Sequence, residues 1–226
     1  MAGNELGQLL VLSPHLDDAA FSCGELLSLN PGAVVATVFA AAPQRDRLTA
    51  WDAACGFRGA HEAMAVRRDE DRRALETLNA KPHWLEFTDS QYCEAPSSER
   101  IAATLERVAC ACRPDTIVMP FGLFHSDHEL AHAAGLRLFA DDCEHAWYAY
   151  EDMLYRTIPG LLQRRLGMLA DMGIEATPIG FRGGSVDVKR RAVDCYASQL
   201  RGLATPGRPG WCDLVAPERY WRLARH

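Results

Sequence analysis

An α/β fold, with a mostly parallel sheet flanked by helices, follows from two features of the sequence. Through the first two thirds of the chain, short apolar runs alternate with longer segments of helical pattern. The runs are bounded by turn-forming residues, so that strand, helix and strand recur. The 226 residues fit one domain spanning 1–226, with the regular alternation over 1–150 and a less regular part of helices and loops over 151–226.

The elements follow in order. Leu9 to Ser13 (LLVLS) reads as a strand, followed by a turn and a helix from about Ala19 to Leu29 that Asn30-Pro31-Gly32 stops. Ala33 to Ala40 (AVVATVFA) reads as a buried second strand. Gly59 to Asn79 is helical, with Ala63, Val66, Ala74, Leu75 and Leu78 as its apolar face. His83 to Phe87 supplies a third strand, and Ser97 to Cys112 a helix opened by the caps Ser97 and Ser98. Thr116 to Pro120 (TIVMP) is the fourth strand, Glu129 to Ala140 the next helix, and Ala146 to Tyr150 the fifth strand. Beyond Glu151 the pattern predicts helices over Ile158–Met172 and Val186–Leu203 and a loop over Thr205–Gly210.

Composition narrows the functional class. Hydrophobic residues make up 48% and charged residues 24%, ordinary for a soluble protein with a substantial core. The net charge of -6, without a basic block, argues against nucleic acid as a partner. No run approaches the roughly 20 apolar residues of a membrane span, and the start lacks the basic region of a signal peptide. The eight cysteines (Cys23, Cys55, Cys93, Cys110, Cys112, Cys143, Cys195 and Cys212) form no CxxC pair and read as reduced thiols in a cytoplasmic protein.

Two motifs carry chemistry. Ser13-Pro14-His15-Leu16-Asp17-Asp18 stands where the first strand passes into its helix, and His125-Ser126-Asp127-His128 follows the fourth strand. Both lie at the carboxyl ends of expected parallel strands, where ligands bind in open α/β sheets. Taken singly, Asp17 or Asp18 would cap a helix, and the histidines would be solvated loop residues. Two His/Asp-rich clusters at equivalent places in one sheet instead suggest a catalytic zinc site: three protein ligands and an open position. The donor types do not exclude iron, cobalt or manganese. His132, four residues after His128, reads as a further ligand or as packing, and His61, His83, His145 and His226 as structural or exposed.

The pair SPHLDD and HSDH, about 110 residues apart, resembles the PIG-L/LmbE-like family of metal-dependent N-deacetylases. The resemblance covers the Rossmann-like part, roughly Leu9 to Tyr150, and YEDMLY and YASQL further on are also similar to family sequences. It implies zinc held by His15, Asp18 and His128, with Asp17 as general base. It also implies His125 as the acid or electrophilic histidine, kept basic by its partner Asp127. Asp89 matches an aspartate that contacts sugar hydroxyls, and Arg68, beside Arg67, a substrate-contacting arginine. The implied reaction is hydrolysis of the acetamide on an N-acetylated amino sugar or glycoconjugate. Ala19 stands where the common motif has glutamate, Leu16 where it has proline, and Leu123 where some members carry an oxyanion-stabilising tyrosine. Tyr150, Tyr155 or a backbone N–H is left to take that last role. Two other readings of the same residues are a phosphoesterase, which usually wants a two-metal site and more carboxylates, and a non-catalytic sugar-binding protein, which needs none of the proton-transfer residues.

Overall fold

The computed structural model describes residues 6–92, 96–181, 183–207 and 213–225. His226, Cys93, Cys212 and the end of the expected 205–210 loop lie outside them. The strands are β1 (Leu9–Ser13), β2 (Val34–Thr37), β3 (Lys81–Trp84), β4 (Thr116–Pro120), β5 (Ala146–Tyr150), β6 (Ile174–Ile179) and β7 (Tyr220–Arg225). The helices are α1 (Asp18–Leu29), α2 (Ala50–Ala54), α3 (Ala60–Thr77), α4 (Ser98–Cys112), α5 (Ser126–Asp141), α6 (Leu161–Asp171), α7 (Val186–Val193) and α8 (Ala197–Leu203).

The strands form one sheet in the order β3-β2-β1-β4-β5-β7-β6. The first five are parallel, and β7 runs antiparallel between β5 and β6. Successive side chains of a strand point to opposite faces, and β1 shows the consequence. Leu9 and Val11 pack with Phe21, Leu75 and Tyr196 on one face, whereas Leu10 and Leu12 pack with Ile101, Leu105 and Ala134 on the other. A sheet covered on both faces needs strands apolar throughout, and β1 and β4 are buried at all five positions.

The chain beyond Tyr150 departs from the expected helices and loops, because it also supplies β6 and β7 to the sheet. The helix expected from Glu129 starts at Ser126, which places His128 within its first turn. Strand β3 lies two residues early, and only single bridges, Phe39 to Glu86 and Ala41 to Thr88, continue that edge. The order reverses between β1 and β4, the switch point at which such sheets open a crevice. Both motifs emerge there.

Candidate metal centre

Ser13 builds the first half of the site. Its hydroxyl donates to the His15 carbonyl (2.7 Å) and accepts from the Ala19 N–H (3.0 Å), so it holds the strand-to-helix turn. Asp17 occupies the N-cap position of α1, yet its carboxylate makes no capping bond. Asp18 Oδ2 accepts the His15 N–H at 2.8 Å. Neither aspartate is thereby committed to capping α1.

Gly122 builds the second half. It has φ +68°, and a Cβ there would lie 2.6 Å from the His132 Cβ and 2.7 Å from the His128 carbonyl. Only glycine fits that turn. Phe124 follows at φ +66°, and His125 then caps α5, its Nδ1 accepting the Asp127 N–H at 3.2 Å.

The two halves meet. Asp18 Oδ2 lies 3.3 Å from His15 Nδ1 and 3.2 Å from His128 Nε2, and these three residues converge closely enough to hold one ion. Each imidazole has its outer nitrogen on a carboxylate: His15 Nε2 on Asp127 Oδ2 at 3.0 Å, and His128 Nδ1 on Asp152 Oδ1 at 2.6 Å. Such carboxylate–histidine pairs fix the tautomer and orientation of metal ligands. His15, His125 and Asp127 converge as a second group. In that group His15 Nε2 bonds Asp127 and His125 Nδ1 accepts a backbone N–H, which leaves His125 Nε2 outside both bonds.

The charges follow from this geometry. Burial opposes charge on His15, but the Asp127 and Asp18 carboxylates outweigh it and hold the imidazole well above its usual value. His128, likewise opposed by burial, is raised to about 9 by Asp18 and Asp152. Burial disfavours the Asp18 carboxylate as well, and the two histidines nonetheless hold it well below the usual range. Asp17 is pushed up to about 7 by burial and by Asp18, while His15, His128 and Arg67 pull the other way.

Several expectations need adjusting. The Asp127 side chain pairs with His15, not His125, whose Nδ1 stands 4.0 Å from it. Burial and the neighbouring His15 and His128 lower the His125 pKa, so its ring favours the neutral form with the proton on Nε2. Arg68 does not reach the centre: it donates to the Ala40 carbonyl (2.7 Å) and stacks on Trp84. The arginine whose charge is felt at Asp17 is its neighbour Arg67, buried against Asp52 (2.8 Å) and Tyr92 (3.2 Å). Asp89 lies at the rim, 3.9 Å from His15 Nε2, and accepts from the Gln91 backbone and side chain. His132 Nδ1 donates to the Pro120 carbonyl at 2.9 Å, outside both ligand groups. Tyr150 is fully buried, its hydroxyl donating to the Leu12 carbonyl, whereas the Tyr155 ring lies against His128 and His125. Sequence reasoning missed Asp152. Its signal was the YEDMLY segment at the end of β5, the third strand to deliver a residue to the site.

Comparison with known proteins gives a family for most of the chain and a set of similar folds. Residues 10–139 match the family model described as PIG-L: GlcNAc-PI de-N-acetylase. No curated protein matches the chain. The zinc-inhibited form of teicoplanin deacetylase is similar in structure, with a TM-score of 0.81 and 21% identity over 97% of this chain and 98% of the other. N,N'-diacetylchitobiose deacetylase from Pyrococcus horikoshii has a TM-score of 0.60 and 16% identity, over 98% of this chain and 85% of the other. A 4-carboxy-2-hydroxymuconate hydratase also matches, at a TM-score of 0.56 and 14% identity over 98% and 97%. The same architecture thus carries a different chemistry, and function must be argued from the site.

Proposed function

The chain belongs to the PIG-L family of GlcNAc-PI de-N-acetylases, and from that premise we propose that it is a zinc-dependent N-deacetylase acting on a small amino sugar or glycoconjugate. One observation carries the reading: His15, Asp18 and His128 converge at 3.2–3.3 Å beside Asp17, a carboxylate not used as a helix cap. The donor set fits zinc. Two imidazoles and a carboxylate are its usual catalytic ligands, and both outer nitrogens are tied to carboxylates. A bound zinc supplies Lewis acidity and lowers the pKa of water to about 7.

The remaining work falls to the chain. Asp17 takes the proton of the attacking water and later delivers it to the departing amine, which leaves poorly as an anion. His125, neutral with Nδ1 occupied, donates its Nε2–H to the developing oxyanion, and one such donor is worth about 3–4 kcal/mol. Asp127 and Asp152 hold the His15 and His128 rings in place. Asp89 at the rim receives sugar hydroxyls. The whole chain works as one unit, because β7 and β6 extend the sheet that carries both motifs. Among the described residues no helix is long and apolar enough to cross a membrane. The six described cysteines are free, as thiols are in a reducing cytoplasm. The net charge of -6 supports a small-molecule partner over nucleic acid.

Amine release from N-acetylglucosamine derivatives, with and without chelator, tests this. Chelation should abolish release and zinc should restore it. Asp17→Asn should lower kcat by about 10²–10⁴-fold. Phosphate release from aryl phosphates, or no turnover of any acetamide by the zinc-loaded chain, would overturn the reading.

A further inference from the structure

A cavity of about 620 Å³ lies between α5 and α6, and its lining shares no residue with the candidate metal ligands. Ligand pockets commonly fall between about 300 and 1,000 Å³. Phe124, Met168 and Met172 line it, and they are exposed by 61%, 48% and 60%. Large apolar side chains left exposed around one concavity mark a binding surface more than chance scatter does. Methionine side chains adapt readily to a ligand's shape.

Among the described residues, two buried polar atoms of the lining have no protein hydrogen-bond partner: His132 Nε2 and Arg165 Nε. His132 is 1% exposed, and its Nδ1–H donates to the Pro120 carbonyl, which leaves Nε2 as a bare acceptor. Burial and the nearby Arg165 charge keep the ring neutral. Arg165 donates through Nη2 to the Gly122 carbonyl at 2.8 Å, which leaves Nε–H as a bare donor. Buried groups left unpaired cost more than a typical hydrogen bond contributes. The ligand group they suit must donate to an imidazole nitrogen and accept from a guanidinium. A hydroxyl does both; a carboxylate cannot donate, and an ammonium cannot accept.

We propose that the cavity between α5 and α6 binds a small apolar molecule bearing a hydroxyl group, an aliphatic alcohol in its simplest form, as a ligand separate from the substrate of the metal centre. The apolar wall holds the chain, and His132 and Arg165 hold the hydroxyl. Gly122 borders the cavity as well as the turn before His125: Arg165 donates to its carbonyl, and a Cβ on it would lie 2.6 Å from the His132 Cβ.

The test is titration of the zinc-loaded protein with n-octanol, followed by NMR shifts, beside its isomer heptyl methyl ether, which accepts but cannot donate. Saturable binding is expected, with the alcohol about ten-fold tighter than the ether. His132→Leu should erase that preference. Met168→Trp, at a half-exposed wall position, should weaken both probes about ten-fold or more while zinc content and turnover stay unchanged. N-acetylglucosamine should not displace the alcohol. Absent saturation, equal affinity for the two isomers, indifference to Met168→Trp, or displacement by N-acetylglucosamine would each overturn the proposal. The readout is binding, so its failure leaves the deacetylase reading standing, and loss of that reading leaves this one.

Discussion

Replacing Asp152 with asparagine should weaken zinc binding by about 10–100-fold without unfolding the protein. The carboxylate does two jobs: Oδ1 meets His128 Nδ1 at 2.6 Å, and Oδ2 accepts the Leu123 N–H at 3.1 Å. Both Asp152 and the His128 side chain are 1% exposed, so water cannot replace what is lost. Asparagine can still accept from one donor but carries no charge, and charge-assisted bonds of this length are about twice as strong as neutral ones. The expected loss corresponds to about 1.4–2.7 kcal/mol of metal binding. Alanine would add an unpaired Leu123 N–H, at about 1–3 kcal/mol of stability. The assay is competitive zinc titration against a chelator of known affinity. Asp142→Asn is the matched control, since Asp142 meets His145 Nδ1 at the same 2.6 Å away from the metal centre. Equal zinc affinity in wild type and Asp152→Asn, or an equal loss in Asp142→Asn, would refute the argument.

Three further outcomes follow. Arg67→Met should destabilise the fold by about 3–5 kcal/mol in denaturant unfolding, because it strands the fully buried Asp52 without its cation. Gly122→Ala should lower both stability and zinc affinity: the φ of +68° is strained for alanine, and its Cβ would collide with His132 and the His128 carbonyl. A variant with unchanged zinc affinity would show that the turn does not position His128. Asp71, pushed by burial to about 6 from 3.8 despite its bonds from Trp84 and Tyr196, makes stability pH-dependent. Its folded pKa is raised, so between about pH 4 and 6 the unfolded chain has released this proton while the folded chain keeps it. Stability should therefore fall as pH rises through that window, by about 3 kcal/mol at most, and level off above it. Subtracting the Asp71→Asn stability curve from that of wild type isolates the effect, and a difference flat between pH 4 and 6 would count against it.

The sequence shows most where structure is local. Thr116–Pro120 and Ala146–Tyr150 form strands with the expected bounds, because consecutive apolar residues between turn-formers are what a doubly covered parallel strand requires. IEATPI and YWRLAR hid β6 and β7: one carries a proline and is mostly exposed, the other is broken by arginines, and each is defined by pairing with a distant segment. The site divides the same way. His15, Asp17 and Asp18 sit in one short motif and His125, Asp127 and His128 in another, each at a strand's carboxyl end, so their convergence follows from topology. The Asp152–His128 bond, the pairing of Asp127 with His15 and the direction of Arg68 depend on side-chain directions that periodicity does not encode.

The central claim is that His15, Asp18 and His128 hold one ion while Asp17 stays free for proton transfer. Zinc bound per chain, measured after dialysis for His15→Ala, Asp18→Asn, His128→Ala and Asp17→Asn, addresses it most directly. The first three should lose the metal, and Asp17→Asn should keep one equivalent. Full zinc in any of the first three, or an empty Asp17→Asn protein, would contradict the account.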